Sequence, residues 1–283
     1  MTRLNKKIGF IGAGNMAEAI INGLLQSGVS RSEDLVASDV SPSRCSYMAE
    51  RYGIETPGNN VAVFHRCELI ILAVKPQHMN EMLEELTKDS DYVGTGRKIV
   101  VSIAAGVPLQ RIERYLYAPI DDKERTQLPI VRVMPNTPAL VRAGIAGMAG
   151  NRYAQQEDLG TVRSVLEAIG KVIEFDEVDL DAVTALSGSG PAYLFYFVES
   201  LVAAGKSLGL TESDALILTL ETIKGAVKLM EETREPASLL RKKVTSPGGT
   251  TEAAIKVLEG HNMKEIFLKA LQAATNRSRE LSI

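Results

Sequence analysis

The sequence predicts an α/β chain in two parts, an N-terminal doubly wound parallel sheet followed by an all-α C-terminal half. Three observations carry this. Short apolar runs alternate with helical patterns through the first half, a glycine-marked strand–turn–helix opens the chain, and strand signals fade into long amphipathic helices from about Leu180. A length of 283 residues is enough for two hydrophobic cores. The acidic stretch 174–181 leads into the first long helix, so the boundary is expected there, with domains at 1–175 and 176–283.

Each element follows from its local pattern. Lys7-Ile8-Gly9-Phe10-Ile11 is the first strand and 18–25 lies in its helix; Leu35-Val36-Ala37-Ser38 is the second strand, with a helix over 43–52. Leu69-Ile70-Ile71-Leu72-Ala73-Val74 is continuously apolar, as in a central parallel strand covered on both faces. A helix over 79–86, the strand 98–103, a helix over 108–116 and the strand 130–134 continue the alternation, while 118–128 is expected to be a solvated loop. Right-handed crossovers then give an open sheet. Beyond it, helices are expected over 191–208, 211–232, 236–243, 251–259 and 264–279. Their apolar surface exceeds what one small domain hides, which implies association between subunits.

The opening turn carries the first chemistry. Gly12-Ala13-Gly14-Asn15-Met16-Ala17 is G-x-G-x-x-A between a strand and a helix. Gly12 permits the tight turn, Gly14 admits the phosphates, and Ala17 lets helix pack on strand. Free N–H groups and the helix dipole attract the pyrophosphate of a dinucleotide, making this a Rossmann-type domain. The plain alternative is a structural strand–helix turn.

Composition excludes other classes. Net charge is −3 with Trp absent and aromatics at 5%, which argues against nucleic acid as partner. No run reaches 18 apolar residues and no secretory signal pattern precedes the first strand, so no membrane span is expected. Cys45 and Cys67 lack zinc-ligand spacing, and His65, His78 and His261 are scattered, so no metal site is expected and the chain reads as reduced and cytoplasmic.

Ligands of doubly wound sheets bind at the carboxyl ends of the strands. Here those ends are small or proline-rich: Ala73-Val74-Lys75-Pro76, Ala104-Ala105-Gly106 and Met134-Pro135-Asn136-Thr137-Pro138. Lys75 is either a cofactor contact or a solvated strand end. Ser187-Gly188-Ser189-Gly190-Pro191 serves close helix packing in preference to anion binding. Thr245-Ser246-Pro247-Gly248-Gly249-Thr250-Thr251 sets flexible backbone donors and hydroxyls at a helix start, a seat for a small anion, with simple capping as the alternative.

Taken together, Ile8–Ile11 with Gly12-Ala13-Gly14-Asn15-Met16, Ala73-Val74-Lys75-Pro76, Ser102-Ile103-Ala104-Ala105-Gly106, Met134-Pro135-Asn136-Thr137-Pro138, Leu186-Ser187-Gly188-Ser189-Gly190-Pro191-Ala192-Tyr193 and Ser246-Pro247-Gly248-Gly249-Thr250-Thr251 resemble pyrroline-5-carboxylate reductase over nearly the whole chain. The resemblance implies reduction of the ring C=N of 1-pyrroline-5-carboxylate to L-proline by NADPH or NADH, the last step of proline biosynthesis. It implies a homodimer, often built into a larger homo-oligomer, with interlocked helical domains that share active sites. It assigns cofactor contacts to Ile11, Gly12, Ala13, Gly14, Asn15, Met16, Asn60, Ala73, Val74, Lys75, Pro76, Ile103, Ala104 and Ala105. Thr251 becomes the catalytic hydroxyl beside the substrate nitrogen, and Ser246, Gly248, Gly249 and Thr250 complete the substrate loop, with Gly249 and Thr250 offering N–H groups to its carboxylate.

One departure concerns the end of the second strand, where the family's phosphate-binding pattern is rich in Ser and Thr. Here Ser38 is followed by Asp39, whose carboxylate would bind ribose hydroxyls and repel a 2′-phosphate, while Ser41 and Arg44 stand ready to hold that phosphate. The choice between NADH and NADPH stays open. The chemistry itself suits the inventory, since a cyclic imine arrives protonated and needs less acid help than a ketone, so a chain without an evident catalytic His is sufficient. Two other readings share the layout: a β-hydroxyacid dehydrogenase using Lys206 on its helix, which leaves the Ser246–Thr251 segment unexplained, and a non-catalytic dinucleotide sensor or scaffold.

Overall fold

The computed structural model describes residues 3–90, 92 and 96–281; Met1 and Ile283, the outer bounds of the expected domains, lie outside them. By packing, the chain divides into one unit running to Ser189 and resuming at Ala274, and a second unit of Gly190–Ala273.

The first unit is built on strands β1 (Ile8–Ile11), β2 (Leu35–Ser38), β3 (Leu69–Leu72), β4 (Ile99–Ser102), β5 (Ile130–Met134), β6 (Gly144–Gly150) and β7 (Gly170–Glu174), in the order β2-β1-β3-β4-β5-β6-β7. β1 to β5 are parallel, with Ile8 opposite both Leu35 and Leu69, while β6 runs antiparallel to β5 and parallel to β7. The helices are α1 (Asn15–Ser27), α2 (Pro42–Tyr52), α3 (Asn60–Arg66), α4 (Met79–Thr87), α5 (Leu109–Leu116), α6 (Asp122–Arg125), α7 (Gln156–Leu166) and α8 (Leu180–Val183).

Side chains alternate across the sheet, so each strand feeds two cores. Ile8, Phe10 and Ile71 join Ile20 and Leu24 of α1 and Leu166 of α7 on one face. Ile11, Ile70 and Leu72 join Val63, Leu83 and Ile112 of α3, α4 and α5 on the other. Each such side chain is essentially inaccessible to solvent, a burial worth about 1.5–3 kcal/mol apiece. This double burial is why the strands read as unbroken apolar runs.

Some elements differ from the sequence expectation. The expected loop 118–128 contains α6, whose Asp121 accepts from the Glu124 N–H at 2.8 Å while Glu124 accepts from the Asp121 N–H at 2.9 Å. That reciprocal cap makes one helical turn where charge alone suggested none. β6, α7 and β7 differ from the expectation, because β6 is glycine- and alanine-rich, with Ile145 as its one β-branched residue and no aromatic to mark a strand. The expected boundary after 175 falls just past β7.

The second unit holds α9 (Gly190–Ser207), α10 (Glu212–Thr233), α11 (Ala237–Lys243), α12 (Thr250–Gly260) and the start of α13 (Met263–Leu281). α9 and α10 pack closely, since a Cβ on Gly205 would approach the Ala215 Cβ to 2.9 Å. Ala215 and Thr219 are the buried positions of α10, whereas Phe195, Ile217, Leu218, Val257 and Ile266 are exposed. A helical unit this open on its apolar side needs a partner surface. None of the described helices is long and apolar enough to cross a membrane. Sedimentation of the full chain at micromolar concentration is therefore expected to give a dimer or larger species; a monomer would contradict the packing argument.

Candidate active site

The turn after β1 brings backbone against backbone. Gly12 has φ +94°, and a Cβ there would lie 2.8 Å from the Ala73 carbonyl group at the end of β3. Its N–H donates to the Ser38 carbonyl at 2.8 Å, and the Ala13 N–H donates to Asp39 Oδ2 at 2.9 Å. The donors left for an anion are those of the first turn of α1, whose N-cap is Gly14 with no capping side chain. Gly14 has ordinary backbone angles and a Cβ there would meet nothing within 4 Å. Packing within the chain gives no reason for glycine at 14. An exposed cradle that a side chain would fill, beside Asn15 and the half-buried Met16, fits a dinucleotide pyrophosphate.

The end of β2 is braced to this turn. Asp39 accepts from Ala13 N–H with one oxygen and from Ser41 N–H with the other, both at 2.9 Å. The carboxylate expected to read a ribose thus also ties the two turns together. Ser38 is buried and its hydroxyl donates to Asn60 Oδ1 at 2.8 Å, while Asn60 Nδ2 donates to Glu85 Oε2 at 2.7 Å. Ser38 therefore positions Asn60 at the start of α3.

A cleft of ≈ 540 Å³ opens along these ends, lined by Gly12, Gly14, Asp39, Asn60, Ala73, Val74 and Lys75 together with Val40, His78, Glu81, Met82 and Glu85. It gathers residues from four separated stretches at the point where β2 and β3 leave β1 in opposite directions. Lys75 and His78 are exposed, and Pro76 opens the short 3₁₀ turn Pro76–His78. Val40, His78, Glu81, Met82 and Glu85 were missed from sequence; the turn and helix following Lys75-Pro76 were the available signal.

After β4, Ile103 donates its N–H to the Leu72 carbonyl at 3.1 Å, and Ala104 is buried while Ala105 is partly open. This segment is held from below. Arg132 of β5 is buried and pairs with Glu177 and Asp181, each at 3.3 Å, and Glu177 also accepts the Leu109 N–H at 2.6 Å. A Cβ on Gly106 would approach Leu281 Cβ to 2.9 Å, so the end of α13 closes on this segment. Asn136 accepts from the Ile145 N–H at 3.0 Å and donates to Ser187 at 3.4 Å. A Cβ on Gly188 would reach Met134 Cε at 2.3 Å, which supports the packing role expected for that glycine.

In the second unit, Gly248 has φ +73° and donates its N–H to Glu252 Oε2 at 2.7 Å. That N–H, and then Lys256, hold the Glu252 carboxyl below its usual value. Gly249 donates to the Ser246 carbonyl at 3.0 Å and is the N-cap of α12, again with no capping side chain. The Gly249 N–H, expected to meet the substrate carboxylate, is thus engaged within the turn; the donors at this helix start are those of Thr250 and Thr251, and neither threonine hydroxyl caps the helix. Capping alone does not account for two threonines. Lys206, the alternative catalytic base, is exposed and donates to Glu212 Oε2 at 2.6 Å.

Residues 177–281 match the family model described as "Pyrroline-5-carboxylate reductase dimerisation", and residues 7–106 match "NADP oxidoreductase coenzyme F420-dependent". The chain is 38% identical over 274 residues to a pyrroline-5-carboxylate reductase of Corynebacterium melassecola, covering 97% of this chain and 98% of that protein. It is 37% identical to that of Pseudomonas aeruginosa, covering 98% and 97%. Among solved structures it is similar to a pyrroline-5-carboxylate reductase from Coxiella burnetii, with a TM-score of 0.88 at 39% identity and coverage of 99% and 100%. The Plasmodium falciparum pyrroline carboxylate reductase with NADP bound gives a TM-score of 0.86 at 29% identity, with both chains covered fully.

The two glycines of the turn are expected to respond differently to valine. Gly14→Val should melt within about 0.5 kcal/mol of the parent yet show no saturable NADPH binding by fluorescence titration. Gly12→Val should lose roughly 2–5 kcal/mol of stability, from the left-handed backbone and the Ala73 clash. Normal NADPH affinity in Gly14→Val would remove the turn from the cofactor site.

Proposed function

We infer that this chain, which belongs to the pyrroline-5-carboxylate reductase family, reduces the ring C=N of 1-pyrroline-5-carboxylate to L-proline with NAD(P)H. The observation that carries the reading is the pairing, in one chain, of the open Gly14 cradle with a second uncapped helix start at Gly249. NAD(P)H, when bound, supplies the hydride. Backbone N–H groups of Gly14, Asn15 and Met16 face its pyrophosphate, helped by the α1 dipole. Asn60, Asp39, Ala73, Val74 and Lys75, which line the cleft, border the remainder, and the adjoining Pro76, Ile103, Ala104 and Ala105, outside that lining, would extend it.

On the substrate side, the N–H groups of Thr250 and Thr251 receive the substrate carboxylate, while Ser246, Gly248 and Gly249 shape the loop through the turn described above. The protonated ring nitrogen donates to Thr251 Oγ1, which orients the imine carbon for attack. No group of the chain needs to deliver a proton to that nitrogen, because the imine carries it already. The helical region makes the chain a homo-oligomer, and we extend this to dimers assembled into a larger ring. Both cysteines are unpaired, which supports a reducing, cytoplasmic setting.

Thr251 provides the test. Thr251→Ala should lower kcat/KM by roughly tenfold to a few hundredfold, about 1.5–3 kcal/mol for a hydrogen bond to a charged group. NADPH affinity and melting temperature should hold, since the hydroxyl caps nothing. Thr251→Ser should recover much of the loss. Full turnover in Thr251→Ala would take the residue out of the site.

A further inference from the structure

The first turns of α1 and α2 are joined by an ion pair that the proposed reaction does not use. Glu18 of α1 accepts from Arg44 Nη2, from Tyr47 Oη at 3.0 Å and from Tyr52 Oη at 2.7 Å. Arg44 of α2 also donates from Nε to the Ala13 carbonyl and lies over the Tyr47 ring, 4.9 Å from its centroid. The two side chains are 24% and 20% exposed, so the pair is shielded yet reachable from solvent. Burial by itself would raise the Glu18 carboxyl, but the hydrogen bonds from Arg44, Tyr52 and Tyr47 outweigh it and hold the group below its usual value. Glu18 is thus charged at neutral pH.

In a doubly wound sheet the adenosine ribose lies beside the end of β2, and an arginine near that point is the usual partner of a 2′-phosphate. Arg44 follows β2 closely, three residues after Ser41, which caps α2 and shares a 2.9 Å hydrogen bond with Ser43. Each Asp39 oxygen accepts one backbone N–H and keeps a lone pair for a ribose hydroxyl. The second lever on a 2′-phosphate is the charge of Arg44, and Glu18 neutralises it. We propose that Glu18 sets the cofactor preference, by occupying Arg44 and so withholding from NADPH the advantage a free guanidinium would give.

This rests on the cofactor site assigned above, and equilibrium binding tests it without the imine. Intact wild type, Glu18→Gln, Arg44→Gln and the double variant are titrated with NADPH and with NADH by nucleotide fluorescence. Glu18→Gln should raise the NADPH-to-NADH affinity ratio by roughly tenfold, the scale of one charge-assisted hydrogen bond. NADH affinity should move by less than about twofold, and the double variant should lose the gain. Because the ratio comes from one sample, a reduced folded fraction cancels. An unchanged ratio in Glu18→Gln, or a gain that persists without Arg44, overturns the proposal. Binding of both nucleotides without imine reduction would instead refute the assigned reaction and leave this ratio as the deciding result.

Discussion

The first unit depends on bringing one stretch of bare backbone, residues 12–16, up to an anion. A pyrophosphate can be met by main-chain N–H groups only where no Cβ intervenes and the turn is already rigid, since ordering it on binding would cost affinity. Gly12 packs its backbone on Ala73, and the Ala13 peptide is fixed at both ends, N–H to Asp39 and C=O to Arg44. β1 is paired on both sides, by β2 and β3, and buried on both faces, so the turn projects from a strand held on every side. The small residues at the ends of β3 and β4 follow from the same need, because bulk there would close the cleft that the turn opens onto.

The same device recurs in the second unit. α2, α3, α6 and α10 carry side-chain caps from Ser41, Asn59, Asp121 and Thr211. α1 and α12 have glycine at the N-cap and so no capping side chain there, as is also true of α5 and α11, which start after Pro108 and Pro236. A helix start without its own cap leaves donors for a ligand, at a cost of about 1 kcal/mol in helix stability. One uncapped start suits the cofactor's phosphates and the other a carboxylate, so in the proposed reaction both anions would be met by backbone. This leaves side chains little to do beyond orienting the imine, consistent with a cleft that lacks an arrayed acid–base pair.

Much of this was legible in sequence where one physical cause dominated. Leu69–Leu72 reads as a strand because burial on both faces demands an unbroken apolar run. Gly12 reads as the turn glycine and has the left-handed backbone that requires, while a Cβ on Gly14 would meet only open space. What was illegible depended on tertiary partners. β6 has little strand propensity and exists because β5 and β7 supply its hydrogen bonds. The brace by Asp39 could not be seen because Ala13 is 26 residues away. The Glu18–Arg44 pair was hidden likewise, while the Asp121–Glu124 cap was readable and overlooked.

The proposed chemistry is hydride delivery to a cyclic imine by a chain that would hold both anions on backbone donors. It is tested most directly by mixing the intact protein with NADPH and 1-pyrroline-5-carboxylate, following absorbance loss of the nicotinamide and chiral analysis of the product. The expected result is one L-proline formed per NADPH consumed. Loss of NADPH no faster than in the protein-free control, from a protein shown to bind the nucleotide, would contradict it.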